Sequence, residues 1–147
     1  MAVLTNLLAR LRKPHGERRA APRYATHLEN RLSVHVDLAD AKLGPSRAQR
    51  EPQQLIGYTR DVSESGLGVV LPDVRIAGRL VVGRDRSLRV RLGLPGRVVE
   101  MSAQAVRHVP LEGGETGYLV GIQIQEMSQD DRAYYAKFLR SLAVPDF

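Results

Sequence analysis

The segment DVSESGLGV, from Asp61 to Val69, concentrates two acids, two serines and two glycines between two apolar runs. An ordinary hairpin turn needs only one or two residues of this kind. A carboxylate accepts hydrogen bonds, and a serine hydroxyl donates or accepts them. Glycine lets the backbone approach a ligand closely or adopt a positive φ. Asp61, Ser63 and Gly66 are therefore candidate ligand-binding residues at one corner of the fold.

A second set of candidate residues is cationic. In the segment ERRAAPRY, Arg19 and Arg23 are four residues apart, and Pro22 biases the residue before it toward extended backbone. Four extended residues span up to about 13 Å, so the two guanidinium groups can reach different edges of one multivalent anion. Arginine binds phosphate bidentately or hydrogen-bonds O6 and N7 of guanine. The carboxylate of Asp61 suits the donors on guanine's Watson–Crick edge, so the two motifs together favour a guanine nucleotide with more than one phosphate.

The sequence offers no catalytic or metal-binding motif. His35 and Asp37 would share one strand face, but two ligands without a third make a poor metal site. Ser63 and Ser65 do not stand in a G-x-S-x-G elbow. The fragment Gly66-Leu67-Gly68 lacks the third glycine and the G-K-[ST] sequence of phosphate-binding loops. We therefore expect neither an enzyme, nor a bound metal, nor a cofactor.

Composition predicts one soluble domain. The chain has 147 residues, of which 43% are hydrophobic, and this is enough for a single core. The absence of cysteine excludes disulfides and fits a reducing compartment, so the cytoplasm is the expected location. The apolar stretches are shorter than the roughly 18 residues of a membrane span. Basic residues follow the leucines of the N-terminus, which is the reverse of a secretory signal.

The positive charge is concentrated at the N-terminus. The formal net charge is +6, and the residues from Met1 to Arg23 hold six basic side chains against one acidic side chain. Such a local excess favours an anionic partner, such as a nucleic acid, lipid headgroups or a phosphorylated small molecule. The alternative is a solvated basic tail that serves solubility.

Alternating apolar and polar residues predict a fold made mainly of strands. The pattern is regular in RLSVHVDL, SLRVRLGL and TGYLVGIQIQ, where the apolar positions are Leu32, Val34, Val36 and Leu38; Leu88, Val90, Leu92 and Leu94; and Tyr118, Val120, Ile122 and Ile124. It is less regular over residues 55–61, 67–71, 80–82 and 98–109. Many short strands separated by turns indicate a barrel or a sandwich. The polar, proline-containing segment from Ala41 to Gln53 is expected to be a long surface loop.

Two helices are expected at the ends of the chain. Ser128 and Asp131 stand in the relation of a capping box, and an apolar stripe follows at Tyr135, Phe138, Leu139 and Leu142. Leu4, Leu7, Leu8 and Leu11 form a similar stripe before Pro14 and Gly16. This N-terminal helix is short enough to be marginal alone in water.

The two motifs together resemble those of a known family. Arg19-x-x-x-Arg23 followed by Asp61-x-Ser63-x-x-Gly66 resembles the two-part signature of PilZ domains, bacterial receptors for cyclic di-GMP. The segment VGIQIQEMSQDDRAYYAKFL is similar to the family's last strand and closing helix. The resemblance implies an N-terminal helix and linker over 1–16, a PilZ domain over 17–143 and a tail over 144–147. It implies a six-stranded antiparallel barrel with a C-terminal helix and no catalysis, while the loop from Ala41 to Gln53 is longer than expected.

The resemblance also implies roles for individual residues. Arg19 and Arg23 would contact phosphate and guanine, and Asp61, Ser63 and Gly66 would hold a guanine. An arginine at position 18 is associated in the family with two stacked, intercalated ligand molecules, which bring four phosphate charges together. Arg18 therefore predicts two molecules of cyclic di-GMP per chain.

The expected partners follow from the same resemblance. A receptor this small acts through a downstream protein, which the sequence does not identify. The N-terminal helix has three open locations, namely the barrel, a partner protein or an anionic membrane surface. Nucleic acid is not expected, because aromatic residues make up 5% of the chain and no strand shows paired exposed aromatics. A single-stranded nucleic-acid-binding barrel and a nucleotide-independent PilZ-like interaction module remain the alternatives.

Overall fold

The computed structural model describes residues 22–26, 31–39 and 53–143. The predicted N-terminal helix, Arg18, Arg19 and nearly all of the predicted loop from Ala41 to Gln53 lie outside the described residues. Within them are nine strands and one helix: β1 (Arg23–Ala25), β2 (Ser33–Leu38), β3 (Leu55–Ser63), β4 (Gly66–Leu71), β5 (Arg75–Ile76), β6 (Arg79–Leu80), β7 (Leu88–Leu94), β8 (Arg97–Pro110), β9 (Tyr118–Met127) and α1 (Gln129–Ala143).

Six strands close into an antiparallel barrel. The order is β3-β2-β7-β8-β9-β4, and pairing of β3 with β4 completes the circle. β2 pairs with β3 from Leu55 to Tyr58, and β1 pairs with the same edge of β3 from Asp61 to Ser63. This arrangement confirms the predicted six-stranded barrel with a C-terminal helix, and it places the candidate residue Arg23 beside the end of β3.

The barrel interior is filled by the apolar positions that the alternation predicted. In β2 and β7 the predicted inward side chains are all buried, and in β9 Val120 and Ile122 are buried while Tyr118 and Ile124 are partly exposed. Full burial of an aliphatic side chain stabilises the fold by about 1.5–3 kcal/mol. Because these residues occupy the interior, the residues that alternate with them lie on the outer surface.

The helix α1 begins as predicted and is attached to the β7–β8 hairpin. The backbone N–H of Asp131 donates to Ser128 Oγ at 3.1 Å. The Asp131 carboxylate accepts hydrogen bonds from the Glu100 N–H at 3.0 Å and from Arg97 Nη2 at 2.7 Å. These contacts, that of the Glu100 N–H above all, lower the pKa of Asp131. Ser128 of the predicted capping box thus caps the helix, and Asp131 fixes the helix to the β7–β8 hairpin of the barrel.

A search for membrane-spanning helices among the described residues finds none of sufficient length and apolar character.

Candidate ligand-binding site

The Asp-x-Ser-x-x-Gly motif forms the β3–β4 hairpin. β3 ends at Ser63 and β4 begins at Gly66, so a connection of two exposed residues joins them. Ser63 Oγ accepts a hydrogen bond from the Gly66 N–H at 3.1 Å and donates one to the Gly66 carbonyl at 3.2 Å. The side chain is buried, with 1% exposure. In this structure the predicted ligand residue Ser63 therefore closes the turn with its hydroxyl.

Arg23 and Asp61 form an ion pair on the outer surface beside this turn. Arg23 donates to Asp61 Oδ1 from Nη2 at 2.5 Å and from Nε at 3.0 Å. The two side chains are 27% and 31% exposed, so solvent or a ligand can reach them. Among the described residues, none donates a hydrogen bond to Asp61 Oδ2. The pair thus presents a free carboxylate oxygen next to a guanidinium group with donors to spare.

Around this ion pair, outward-facing glycines of β4 and β9 leave the backbone of these strands uncovered by side chains of their own. Leu67, Val69 and Ile122 are in the core, so the glycines that alternate with them face outward. We call Gly66, Gly68 and Gly121 the glycine floor.

Space, not backbone conformation, explains glycine at all three positions, because none of them has a positive φ. A Cβ atom at Gly66 would lie 2.6 Å from the carbonyl oxygen of Ile122. One at Gly68 would lie 2.9 Å from both carboxylate oxygens of Asp61. The floor lets neighbouring side chains, or the flat ring of a ligand, lie against the strands.

A β-bulge turns Asp61 toward the floor. Thr59 is fully buried, and in a regular strand Asp61 would point to the same side as Thr59. The pairing of β3 with β4 shifts by one residue between these two positions, so Arg60 is the extra residue and Asp61 faces outward. Thr26 holds the bulge, since its N–H donates to the Arg60 carbonyl at 2.9 Å and its Oγ1 donates to the Thr59 carbonyl at 2.9 Å.

The helix α1 contacts the end of β3 in the hairpin that carries the site. Tyr135 Oη donates to the carbonyl oxygen of Ser63 at 2.6 Å, and its side chain is buried. This burial raises the pKa of Tyr135. Beside the contact, a groove of about 230 Å³ lies between β1 and α1, where Pro22, Tyr24 and Glu64 face Leu139. The end of the hairpin is thereby linked to the C-terminal helix.

The structure brings four of the predicted site residues together, namely Arg23, Asp61, Ser63 and Gly66. Gly68, Gly121 and Tyr135 were not predicted as site residues. A glycine inside an apolar strand often marks close approach of a ligand or backbone, and this signal was present at Gly121. Within the described ranges, no three His, Asp or Glu side chains form a group able to hold a metal ion.

Comparison with known proteins gives consistent results. The PilZ domain of YcgR from Escherichia coli, solved with c-di-GMP, has a TM-score of 0.59 at 17% identity, over 86% of this chain and 92% of that chain. The inhibitor of motility MotI/DgrA from Bacillus subtilis gives 0.58 at 18% identity, over 86% and 50%. MrkH, described as a c-di-GMP-dependent transcription regulatory factor, gives 0.65 at 14% identity, over 87% and 52%.

These structural likenesses show the shared fold, and this chain spans about half the length of the last two proteins. A search of curated protein sequences returned no match. The family itself is shown by sequence, because the family model described as PilZ domain matches residues 17–141. With its barrel, its closing helix and its Arg23–Asp61 pair at the β3–β4 hairpin, the chain belongs to the PilZ domain family.

Proposed function

We propose that this protein is a receptor for cyclic di-GMP that binds the nucleotide on the outer surface of β3, β4 and β9. The observation that carries the proposal is the Arg23–Asp61 ion pair beside the glycine floor, in a chain of the PilZ family. Two solved structures of the same fold, the PilZ domain of YcgR and YcgR itself, are described as structures with c-di-GMP. Because the nucleotide is a bacterial second messenger, the protein would act in the cytoplasm.

The chemistry of recognition follows from the free atoms of the pair. Asp61 Oδ2 accepts hydrogen bonds from the two adjacent nitrogens of guanine's Watson–Crick edge, and adenine offers no matching pair of donors. Arg23 orients the carboxylate through Oδ1 and keeps further N–H groups for a phosphate or for guanine. Ser63 positions the hairpin through its bonds to Gly66, and in the bound state its hydroxyl can turn to the same guanine.

Arg19, the other arginine of the signature, and Arg18, which precedes the signature, complete the site in the proposal. Arg19 contacts phosphate and guanine together with Arg23. Arg18 adds a third guanidinium group, which offsets the charge of a second, intercalated nucleotide. The protein then binds two molecules of cyclic di-GMP per chain.

The output of the receptor passes through the N-terminal segment to a downstream protein. A ligand shifts an equilibrium only through different affinities for two states. Here the difference would come from Arg18, Arg19 and Arg23, which reach the nucleotide together only when residues 18–23 fold onto the barrel. The segment from Leu4 to Leu11 precedes residues 18–23 in the sequence. When residues 18–23 fold onto the barrel, this segment would change its contacts with the barrel, a partner or an anionic membrane. Deleting residues 1–13 would leave nucleotide binding largely intact and abolish the cellular response.

Calorimetric titration tests the proposal. The full chain is titrated with cyclic di-GMP, cyclic di-AMP, GTP and a single-stranded oligonucleotide under one salt condition. We expect cyclic di-GMP alone to bind tightly, with two equivalents per chain, and Arg18→Leu to lower the stoichiometry. Saturation at one equivalent would contradict the role of Arg18. Equal binding of both cyclic dinucleotides, or preference for the oligonucleotide, would contradict the proposed function.

A further inference from the structure

The strand β8 contains a second bulge whose effect mirrors that in β3. Ala103 and Ala105 are fully buried, so regular alternation would turn Arg107 into the core. The pairing of β8 with β9 shifts between Ala105 and Arg107. Val106 is the extra residue, with 50% exposure, and Arg107 is exposed on the outer surface. Bulges of this kind re-aim side chains and are frequent next to functional sites.

The two bulges lie at the ends of one row that crosses four strands. In this row Asp61 is paired with Gly68, Gly68 with Gly121 and Gly121 with Arg107. Neighbouring strands are about 4.8 Å apart, so the row is about 14 Å wide. Its two middle members belong to the glycine floor, and its two end members are the charged residues that the bulges turn outward.

Both end side chains lie over the floor. A Cβ atom at Gly121 would be 3.2 Å from Cγ and from Nε of Arg107, as one at Gly68 would be 2.9 Å from the Asp61 oxygens. The bulge at Arg107 is stabilised by the segment between β6 and β7, because the N–H of Gly83 donates to the Ala105 carbonyl at 3.0 Å. Arg107 is therefore presented to the floor from the side opposite to Asp61.

The charge of Arg107 has no acidic partner among the described residues. Within residues 22–26, 31–39 and 53–143, Arg107 makes no hydrogen bond or ion pair, whereas Arg23 is engaged by Asp61. An arginine placed against a glycine surface without a partner leaves all five guanidinium donors for a ligand. A bulge that turns this side chain away from the core and leaves it unpaired has no evident structural purpose.

We infer that Arg107 is a ligand-binding residue that reads O6 and N7 of the guanine whose Watson–Crick edge is bound by Asp61. This inference rests on the proposed function. Guanine carries its donors and its O6 and N7 acceptors on different edges of one flat ring, and arginine binds the latter bidentately. These two edges are adjacent and meet at O6, so a ring held by Asp61 at one end of the row can present O6 and N7 to the guanidinium group of Arg107. The row then contacts guanine along two of its edges.

The test is a comparison of variants and of a nucleotide analogue. Cyclic di-GMP and its 7-deaza analogue, which lacks N7, are titrated calorimetrically into the wild type, Arg107→Ala and Arg107→Lys. Arg89→Ala is the matched control, because it removes an exposed arginine from the other side of the barrel. We expect Arg107→Ala to weaken binding of cyclic di-GMP about 10- to 100-fold. The lysine variant should recover little affinity, because its ammonium group cannot form the bidentate contact.

Each outcome bears on the inference separately from the proposed function. A smaller penalty of Arg107→Ala with the 7-deaza analogue than with cyclic di-GMP would support the contact to N7. Wild-type affinity in Arg107→Ala, with tight binding by the wild type, would overturn the inference and leave the receptor function standing. An equal penalty with both nucleotides would overturn the assigned edge. Absence of binding by the wild type would contradict the proposed function itself.

Discussion

Two outer faces of the same barrel carry arginine and aspartate, and they hold these charges in different ways. On the face formed by β2 and β7, Asp37 lies 3.9 Å from Arg89 Nε and 4.0 Å from Arg91 Nη2. These distances exceed those of charge-assisted hydrogen bonds, which are about 2.7–2.9 Å. On the face formed by β3, β4 and β9, the Arg23–Asp61 distance is 2.5 Å. The first arrangement is a loose charge cluster without hydrogen-bonded ion pairs, and the second is a tight pair.

The backbone under the two faces differs as well. β2 pairs with β7 over five consecutive residue pairs without a shift of register. β3 and β8, in contrast, each contain a bulge at the row that crosses the glycine floor. Charged side chains on a regular strand thus cover the barrel, whereas bulges and glycines leave room above the backbone. The candidate site is therefore defined by its backbone as much as by its charges.

The largest expected effect is that of Arg23→Ala. The substitution removes both hydrogen bonds to Asp61 and the guanidinium contacts to the nucleotide. Charge-assisted hydrogen bonds contribute about 1.5–3 kcal/mol each, so calorimetry should show a loss of affinity from tenfold to well over a hundredfold. The barrel should stay folded, because the pair is partly exposed. Full affinity in this variant would show that the ion pair is not part of the site.

The next effect is expected from filling the glycine floor. In Gly68→Val the new side chain would displace the Asp61 carboxylate, since its Cβ would lie 2.9 Å from both oxygens. Steric insertions of this kind cost about 1–3 kcal/mol, which corresponds to a loss of affinity of about 5- to 150-fold. Gly93→Val is the control, because the Cβ there would meet only the side chain and backbone oxygens of Ser33 on the β2–β7 face. Equal losses in the two variants would mean that the floor has no special role.

A smaller effect is expected from Tyr135→Phe. The variant leaves the carbonyl oxygen of Ser63 without the hydroxyl donor that lies 2.6 Å away. We expect a loss of about 1 kcal/mol in the free energy of unfolding, together with a few-fold loss of affinity as the hairpin loosens. Urea unfolding and calorimetry measure the two quantities. An unchanged affinity at lowered stability would limit Tyr135 to a structural role.

The raised pKa of Tyr135 predicts that the stability of the folded protein depends on pH, and Tyr135→Phe tests this prediction. The pKa of Tyr135 is raised in the folded protein above its ordinary value of 10.0, so the folded chain retains a proton that the unfolded chain loses. The stabilisation is fully present below pH 10 and is lost as the pH rises further. Between about pH 10 and pH 12, the wild type should therefore lose stability more steeply than Tyr135→Phe. Parallel curves would contradict this assignment.

The smallest effect is expected on the comparison face. Arg89→Ala removes a partly exposed ion pair of 3.9 Å, and such pairs contribute about 0–1 kcal/mol. Binding of cyclic di-GMP should stay within about twofold of the wild type, because only long-range attraction is altered. A loss as large as that of Arg23→Ala would mean that general positive charge, and not the built site, attracts the nucleotide.

Alternation alone predicts the strands and their buried faces, because it reports burial directly, and it indicates a barrel or a sandwich. The choice of a six-stranded barrel comes from the resemblance to the PilZ family. The inward positions of β2 and β7 are all buried, and the capping serine stands where the helix begins. The spacing of Arg23, Asp61 and Gly66 also indicates a site, and β1–β3 pairing brings these residues together.

The outward orientation of Asp61 and of Arg107 could not be predicted from the sequence, because each depends on a bulge that breaks the alternation. A bulge is set by tertiary contacts, here those of Thr26 and Gly83, which a local pattern does not contain. For the same reason the alignment of Gly68 with Gly121 across two distant strands becomes visible only in the fold.

We propose that the guanine nucleotide binds on the glycine floor between Asp61 and Arg107. The amide NMR spectrum of the full chain during titration with cyclic di-GMP tests this location directly. We expect the amide signals of Gly66, Gly68 and Gly121 to shift with the ligand, while that of Gly93 on the β2–β7 face does not. Saturable binding that leaves the three floor glycines unshifted and moves Gly93 instead would contradict the proposed location.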